Sequence, residues 1–584
     1  MDELTRSIRR SVWHGWGDPA EAHPLSAAGW SMLGSLGIAR GPKSPPVALE
    51  EVVLPPIALG DAELDALRQV VGDGFVHTDR RWRVEHAGGK SYPDLWRLRR
   101  GDGSQAPDAV VEPADAGEVQ RLLEVCGALR IAVVPFGGGT SVVGGVGAAG
   151  GGGVAFAGVV AVDLRRLDQL LHVDQESRLA TFQPGLRGPD IERALEPHGL
   201  TLGHYPQSHQ EATLGGYVAT RSAGQASTGY GRIDDIVLGM RVATPRGELL
   251  LGGRSPASAA GPRLLDLVVG SEGTLGIITE ATLRVAPRPT AKRYAAWLFP
   301  SFHAGSEALR GLAQDVGPGL LPDVCRLSDE EETRVNLALA GRSGAALLRY
   351  GRARALPAPV LVILVWEGTD AGALKHRQSV SERVLRRGSG RRLPSRVARA
   401  WEKGRFSGPY LRDELMGRRI LVDTLETATT WDRLGTLHAE VGSAIRSSLE
   451  VGGRGVVVMC HVSHVYATGA SLYFTFVAAE SADPMAQWRA VKSAATEAIV
   501  AGGGTITHHH GVGVDHAPWL SAEIGDLGVD VLRAIKAELD PAGILNPGKL
   551  LPPAEGSSGG AADGVVEAVT PGPDPGLTCT PDLS

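Results

Sequence analysis

Cysteine is scarce in this 584-residue chain, and its four residues, Cys126, Cys325, Cys460 and Cys579, stand far apart with no Cys-x-x-Cys pair. That spacing excludes a disulfide framework and fits a reducing compartment with free thiols. Long apolar runs are missing too, so no window meets the length a transmembrane helix needs. The opening MDELTRSIRRSVWHGWGDP has no apolar core, which excludes a signal peptide. The expectation is a soluble, cytoplasmic protein whose membrane contact, if it has any, is peripheral. A net charge of −6 argues against nucleic acid as a partner. One local exception is RRGSGRRLPSRVAR at 386–399, which reads as a solvated basic loop or as a site for an anionic lipid.

What the chain has in excess is glycine. Its 78 glycines crowd into 137–153, 215–247, 270–276 and 502–513, where small residues let backbone approach a ligand closely. A chain of this length exceeds one ordinary core. Residues 1–96 read as an N-terminal segment with helical elements. From 97 to 289 short strands dominate, with helices between them: AVV, then a helix in DAGEVQRLLEVCGAL, then the buried strand RIAVVPF. Later in the block IVLGMRVATPRGELL reads as a strand. Residues 290–501 form a second, α/β layer with strands YAAWLFPSF, LVILVWEG and ASLYFTFVAA and a long helix from DPMAQW. Residues 502–551 hold three adjacent histidines and a helix through VDVLRAIKAELDPAGILNPGKLL. The Pro, Gly, Ser and Ala composition of 552–584 predicts a disordered tail.

GVGAAG at 145–150 matches a dinucleotide fingerprint, but strand-like sequence follows where a Rossmann turn should open a helix, which argues against that site. PFGGGTSVVGG is different. Pro135, Phe136, Gly137, Gly138, Gly139, Thr140 and Ser141 follow a buried strand and offer successive backbone N–H groups for a pyrophosphate. Two further stretches accompany it. The first, 206–248, carries Gln207, Ser208, His209, Gln210, Glu211, Ala212 and Thr213, then Thr220, Arg221, Ser222 and Ala223. The second, 270–285, carries Gly270, Ser271, Glu272, Gly273, Thr274, Leu275 and Gly276.

The three motifs in this order resemble the FAD-binding domain of the vanillyl-alcohol oxidase and p-cresol methylhydroxylase class. The resemblance implies an α+β fold, with a two-part FAD-binding domain of the PCMH type and an α/β cap domain for substrate. It also implies that these residues hold FAD. Some members attach flavin through a histidine in a GGHS pattern; Gly139, Thr140 and Ser141 stand there instead, so FAD is expected to be non-covalent.

Within the class, WHGWGDP (13–19), LPDVCRLSDEEET, YLRD, LYFTF and HHHGVG resemble the alkylglycerone-phosphate synthase branch (alkyl-dihydroxyacetonephosphate synthase). That branch exchanges the acyl group of acyl-dihydroxyacetone phosphate for a long-chain fatty alcohol, through an adduct at flavin N5 with no net redox. The resemblance implies catalytic roles for Arg326, Tyr473, His508, His509 and His510. It makes Arg412 the phosphate contact, since a guanidinium offers a planar fork of donors. A homodimer is what the family implies. The residues themselves leave other readings open. Arg412 could simply pair with Asp413, and Tyr473 could be one more core aromatic of a strand.

For the histidines, an extended segment would put His508 and His510 on one face and His509 on the other, so three ligands would not converge on one metal. CHVSH at 460–464 is too loose a ligand pattern, and no metal is expected. An acid/base or anion-binding site is favoured over incidental histidines, with His509 as base and the others as positioning or phosphate-side groups. Two rival functions remain. One is a 2-hydroxy-acid dehydrogenase or oxidase of the D-lactate or glycolate type on the same fold. The other is a flavin protein without catalysis in a lipid-enzyme assembly.

Overall fold

A computed structural model describes residues 12–22, 24–148, 156–317, 319–450 and 455–553. The tail expected from 552 therefore lies, apart from its first two residues, outside the described residues.

The first sheet is built from β1 (Val76–His77), β2 (Ala109–Val111), β3 (Ile131–Phe136) and β4 (Gly158–Asp163), in the order β1-β2-β4-β3. Its β2, β3 and β4 are parallel and almost wholly buried, as runs of valine and isoleucine predict for parallel strands. The helix Ala116–Leu129 connects β2 to β3. Asp115 caps it by accepting the Glu118 N–H, and Val119, Leu122, Leu123 and Cys126, at helical spacing, bury its inner face.

A second sheet, all antiparallel, has the order β5-β6-β10-β8-β9, from β5 (Leu170–Asp174), β6 (Leu179–Phe182), β8 (Val237–Thr244), β9 (Gly247–Gly252) and β10 (Ile277–Arg284). A small pair, β7 (Leu200–Thr201) with β11 (Ala286–Pro287), flanks it. The single strand expected at 236–250 is in fact a hairpin, because Pro245 and Arg246 turn the chain between Thr244 and Gly247.

The third sheet is the largest among the described residues. Its seven antiparallel strands run β15-β12-β14-β13-β17-β18-β16, from β12 (Ala291–Phe299), β13 (Val324–Ser328), β14 (Val360–Gly368), β15 (Arg391–Leu393), β16 (Ile420–Thr430), β17 (Val456–Val462) and β18 (Gly469–Ala479). Helices Phe302–Asp315, Ala371–Arg387, Trp431–Leu449 and Pro484–Ala501 pack on one face. Along β18, Leu472, Phe474 and Phe476 are buried in that core, while Tyr473, Thr475 and Val477 line a cavity on the opposite face. Period-two alternation thus removes Tyr473 from the core.

The C-terminal helix stops at Leu539, short of the expected span. Asp540 accepts the N–H groups of Ile544 and Leu545, and the chain after Pro541 returns to β3, where Val133 bonds to Ile544 and Asn546. The basic run is not a loop either: Arg386 and Arg392 both pair with Glu382, and Arg396 opens the helix Arg396–Gly404. Among the described residues no helix is long and apolar enough to cross a membrane.

Candidate active site

A cavity of about 1520 Å³ lies between the glycine-rich loop after β3 and the open face of the seven-stranded sheet. That volume exceeds an ordinary small-molecule pocket, leaving room for a dinucleotide and a substrate together. Pro135, Phe136, Gly137, Gly138, Gly139, Thr140 and Ser141 all line it.

The loop fits a pyrophosphate for two reasons. The backbone N–H groups of Gly138, Gly139, Thr140 and Ser141 donate to no acceptor among the described residues, which leaves an anion-binding run. The loop is also pressed against the second motif: a Cβ on Gly138 would lie 2.2 Å from the Glu211 carbonyl, and one on Gly137 would lie 2.3 Å from the Thr213 hydroxyl. Gly138→Ala should therefore displace the loop and yield protein without bound flavin. Yellow protein with a normal flavin-to-protein ratio would contradict that assignment. Ser141 plays a local part, its hydroxyl accepting the Gly145 N–H at 2.9 Å.

From the other two motifs, Gln207, Ser208, Ala212, Thr213, Thr220, Ser222, Ala223, Ser271, Glu272, Gly273 and Gly276 reach the cavity. His209, Gln210, Glu211, Arg221, Gly270, Thr274 and Leu275 do not. His209 is fully buried against Tyr205 and Phe406. Arg221 turns outward to Asp234 at 3.0 Å, and the Thr274 hydroxyl donates to the Ser271 carbonyl.

The histidine segment is not extended. The backbone N–H groups of His508, His509 and His510 all turn onto the carboxylate of Glu426, which also accepts the Thr507 hydroxyl at 2.7 Å. This curl replaces alternation: His509 and His510 both line the cavity, and His508 lies behind them. A second carboxylate holds the next turn, since Glu272 accepts the N–H groups of Val512 at 2.6 Å and Gly513 at 2.8 Å. Burial works to raise the pKa of Glu426, but His509, His510, His508 and the Thr507 hydroxyl hold it well below the usual carboxylate range. Burial pushes the imidazoles the other way. His509 is lowered and His510 falls to about 3, in both cases against the pull of Glu426. In both, burial favours the neutral ring over the imidazolium.

Tyr473 faces Glu426 on one neighbouring strand and His461 on the other. Its ring stacks on His461 at 4.8 Å and 16° and meets the rings of His509 at 5.9 Å and His510 at 5.4 Å. Burial pushes its phenol up to about 12, so it is a proton donor at neutral pH. On β13, Arg326 bonds Glu332 at 2.8 Å and His461 Nδ1 at 3.0 Å, which fixes its guanidinium beside the tyrosine's stacking partner.

Arg412 lines the cavity, but its guanidinium is already engaged. It donates to the Lys90 carbonyl at 2.6 Å and to Asp413 at 3.2 and 3.3 Å. The Asp413 pairing is one of the two readings its sequence left open. The remaining N–H hydrogens of its two terminal nitrogens are what it can offer a ligand. Sequence reasoning missed Glu426, Glu272 as a loop anchor, His461 and Glu332. His464, in the CHVSH stretch that the sequence set aside as too loose a pattern, has a ring nitrogen within 4.8 Å of those of His508 and His509.

Comparison with known proteins decides the family. The description "FAD binding domain" matches residues 107–252, and "FAD linked oxidases, C-terminal domain" matches 288–550. The chain is 32% identical to alkyldihydroxyacetonephosphate synthase of Trypanosoma brucei brucei, an alignment that covers 94% of each chain. The chain belongs to the alkyldihydroxyacetonephosphate synthase family. A solved alkyldihydroxyacetonephosphate synthase superposes with a TM-score of 0.79 at 29% identity, over 92% of this chain and 99% of the other. p-Cresol methylhydroxylase shares the fold, with a TM-score of 0.61 at 15% identity over 85% and 98% of the two chains. As a member of this synthase family with both flavin-domain matches, the chain is an FAD-dependent enzyme, and its α+β architecture is the PCMH type.

Proposed function

We propose that this synthase-family chain exchanges the acyl group of acyl-dihydroxyacetone phosphate for a long-chain fatty alcohol, with no net redox, in ether lipid synthesis. The observation that carries the reading is the gathering of Tyr473, His509, His510 and Arg326 on one wall of the cavity whose opposite wall is the glycine-rich loop. FAD, held by that loop and the two later motifs, supplies an electron-poor ring at which the substrate carbon can be activated.

The chain's own residues handle protons and charge. Exchange needs a proton taken from the carbon beside the ketone, departure of a carboxylate, and removal of the alcohol's hydroxyl proton. Tyr473, protonated and set among the two imidazoles, is the proton-transferring group. His509 is the base, because burial keeps its ring nitrogen unprotonated. Arg326, held by Glu332, presents positive charge toward the departing carboxylate. Arg412 meets the phosphate through its outward N–H hydrogens.

The reading has a pH signature. A base is active above its pKa, and burial holds His509 below the ordinary imidazole value of about 6.5. The acid limb of kcat/KM is therefore expected below pH 6.5, with no basic limb from Tyr473 below about pH 10 because its pKa is about 12. A limb centred near pH 7 that disappears in His509→Ala would contradict the neutral-base assignment. The function itself is tested by mixing the FAD-loaded protein with acyl-dihydroxyacetone phosphate and hexadecanol under nitrogen. The expected products are the ether and one equivalent of fatty acid. Turnover of D-lactate or glycolate with no ether formed would overturn it.

A further inference from the structure

Behind the cavity, a line of hydrogen bonds runs from His509 toward solvent. His509 Nδ1 lies 2.9 Å from His508 Nδ1, and His508 Nε2 lies 2.6 Å from the Tyr466 hydroxyl. Tyr466 in turn bonds the Arg232 guanidinium. Arg232 pairs with Asp234 at 3.0 Å, and Asp234 with Arg221 at 3.0 Å, where the Arg221 side chain is 50% exposed. Of His509, His508 and Tyr466, His509 alone lines the cavity. Tyr466 is half-buried and leads directly into exposed Ala467 and Thr468.

The proposed reaction requires such a route. It converts a neutral ester group and a neutral alcohol into an ether and a carboxylate, so one proton per turnover must reach solvent. A lone buried imidazole would have to hold that proton as a cation, and burial opposes charge on both His508 and His509.

We propose that His508 and Tyr466 form a proton relay that connects His509 to solvent, so that the proton His509 takes from the alcohol leaves to water without His509 becoming an imidazolium ion. The proposal rests on the reading of His509 as the base. In one sense of the line, His509 Nδ1–H donates to His508 Nδ1 and His508 Nε2–H donates to the Tyr466 oxygen. His509 Nε2 then carries a lone pair and acts as a base. When Nε2 takes the alcohol's proton, the Nδ1 proton passes to His508, the His508 Nε2 proton passes to Tyr466, and the tyrosine releases its own proton to water. One proton enters, one leaves, and no charge accumulates. The transfer leaves the line in its reversed sense, with Tyr466 donating to His508 and His508 to His509, and the hydroxyl and imidazoles reorient to the first sense before the next turnover, so that the exported proton is not recovered. Burial pushes the Tyr466 phenol up to about 12 against the pull of Arg232, so the hydroxyl gives up its proton only as it receives one from His508.

Tyr466→Phe removes the last link and keeps the ring. The expected result is full FAD content by visible absorbance, a kcat reduced about tenfold or more, and an unchanged KM for acyl-dihydroxyacetone phosphate. Added imidazole, which carries protons in place of the missing hydroxyl, should restore the rate of this variant and leave the wild type unaffected. A hydroxyl that only positioned His508 would not be replaced by a free buffer. Near-wild-type kcat, or a loss that imidazole does not restore, overturns the relay. His509→Ala separates the two proposals: full activity in that variant would remove the base reading itself, whatever Tyr466→Phe does.

Discussion

Tyr473→Phe should abolish exchange while leaving the protein folded and yellow. The substitution removes one oxygen from a ring whose packing is set by its stack on His461 and its place in β18, and Leu472 and Phe474 on either side keep the strand anchored in the core. Stability should therefore change by no more than about 1 kcal/mol, the worth of one ordinary hydrogen bond. Activity should fall by roughly 100- to 10,000-fold, the range that a single acid/base group contributes. The measurement is ether formation per bound FAD, with the unfolding midpoint as control. Loss of flavin along with activity would assign Tyr473 a structural role instead, and retained activity would remove it from the reaction.

The second large effect belongs to a residue with no reacting atom. Glu426 accepts N–H groups from three successive residues and a hydroxyl from a fourth, so it shapes the segment that presents His509 and His510. In Glu426→Gln one oxygen becomes an NH2 group, which faces backbone donors whichever way the amide turns. At least one buried N–H then loses its acceptor, at about 1–3 kcal/mol for each such group. The histidines should shift, and misplacement by about 1 Å is enough for a loss on the order of 100-fold. Denaturant unfolding and turnover together check this. A variant with wild-type stability and rate would show that the curl does not depend on the carboxylate.

The pattern of sequence legibility follows from distance along the chain. The glycine loop's place on the cavity was readable because its backbone groups are neighbours that follow a buried strand. The helix Ala116–Leu129 was readable because its cap and its apolar stripe are both local. The histidine geometry was not, since the acceptor that bends it sits in β16, 82 residues before His508. Arg412 shows the same limit in reverse. Asp413 was visible next to it, but the Lys90 carbonyl, 322 residues away, was not. His464 and Ser227 meet only because the flavin-binding part and the cap close on one another, with Ser227 bonding His464 at 2.7 Å. The C-terminal segment's return to β3 is long-range for the same reason: no local signal in ILNPGK names its partner.

The central claim, that this flavoprotein carries out an exchange with no net redox, is tested most directly by anaerobic stoichiometry. Enzyme carrying its own FAD is given acyl-dihydroxyacetone phosphate and then a fatty alcohol under nitrogen, with no electron acceptor present, while the flavin spectrum, fatty acid and ether are followed. The account predicts many turnovers, with fatty acid and ether formed one to one and the oxidised flavin spectrum regained when substrate is exhausted. It is contradicted if turnover stops at one equivalent of flavin, or resumes only when an electron acceptor is admitted.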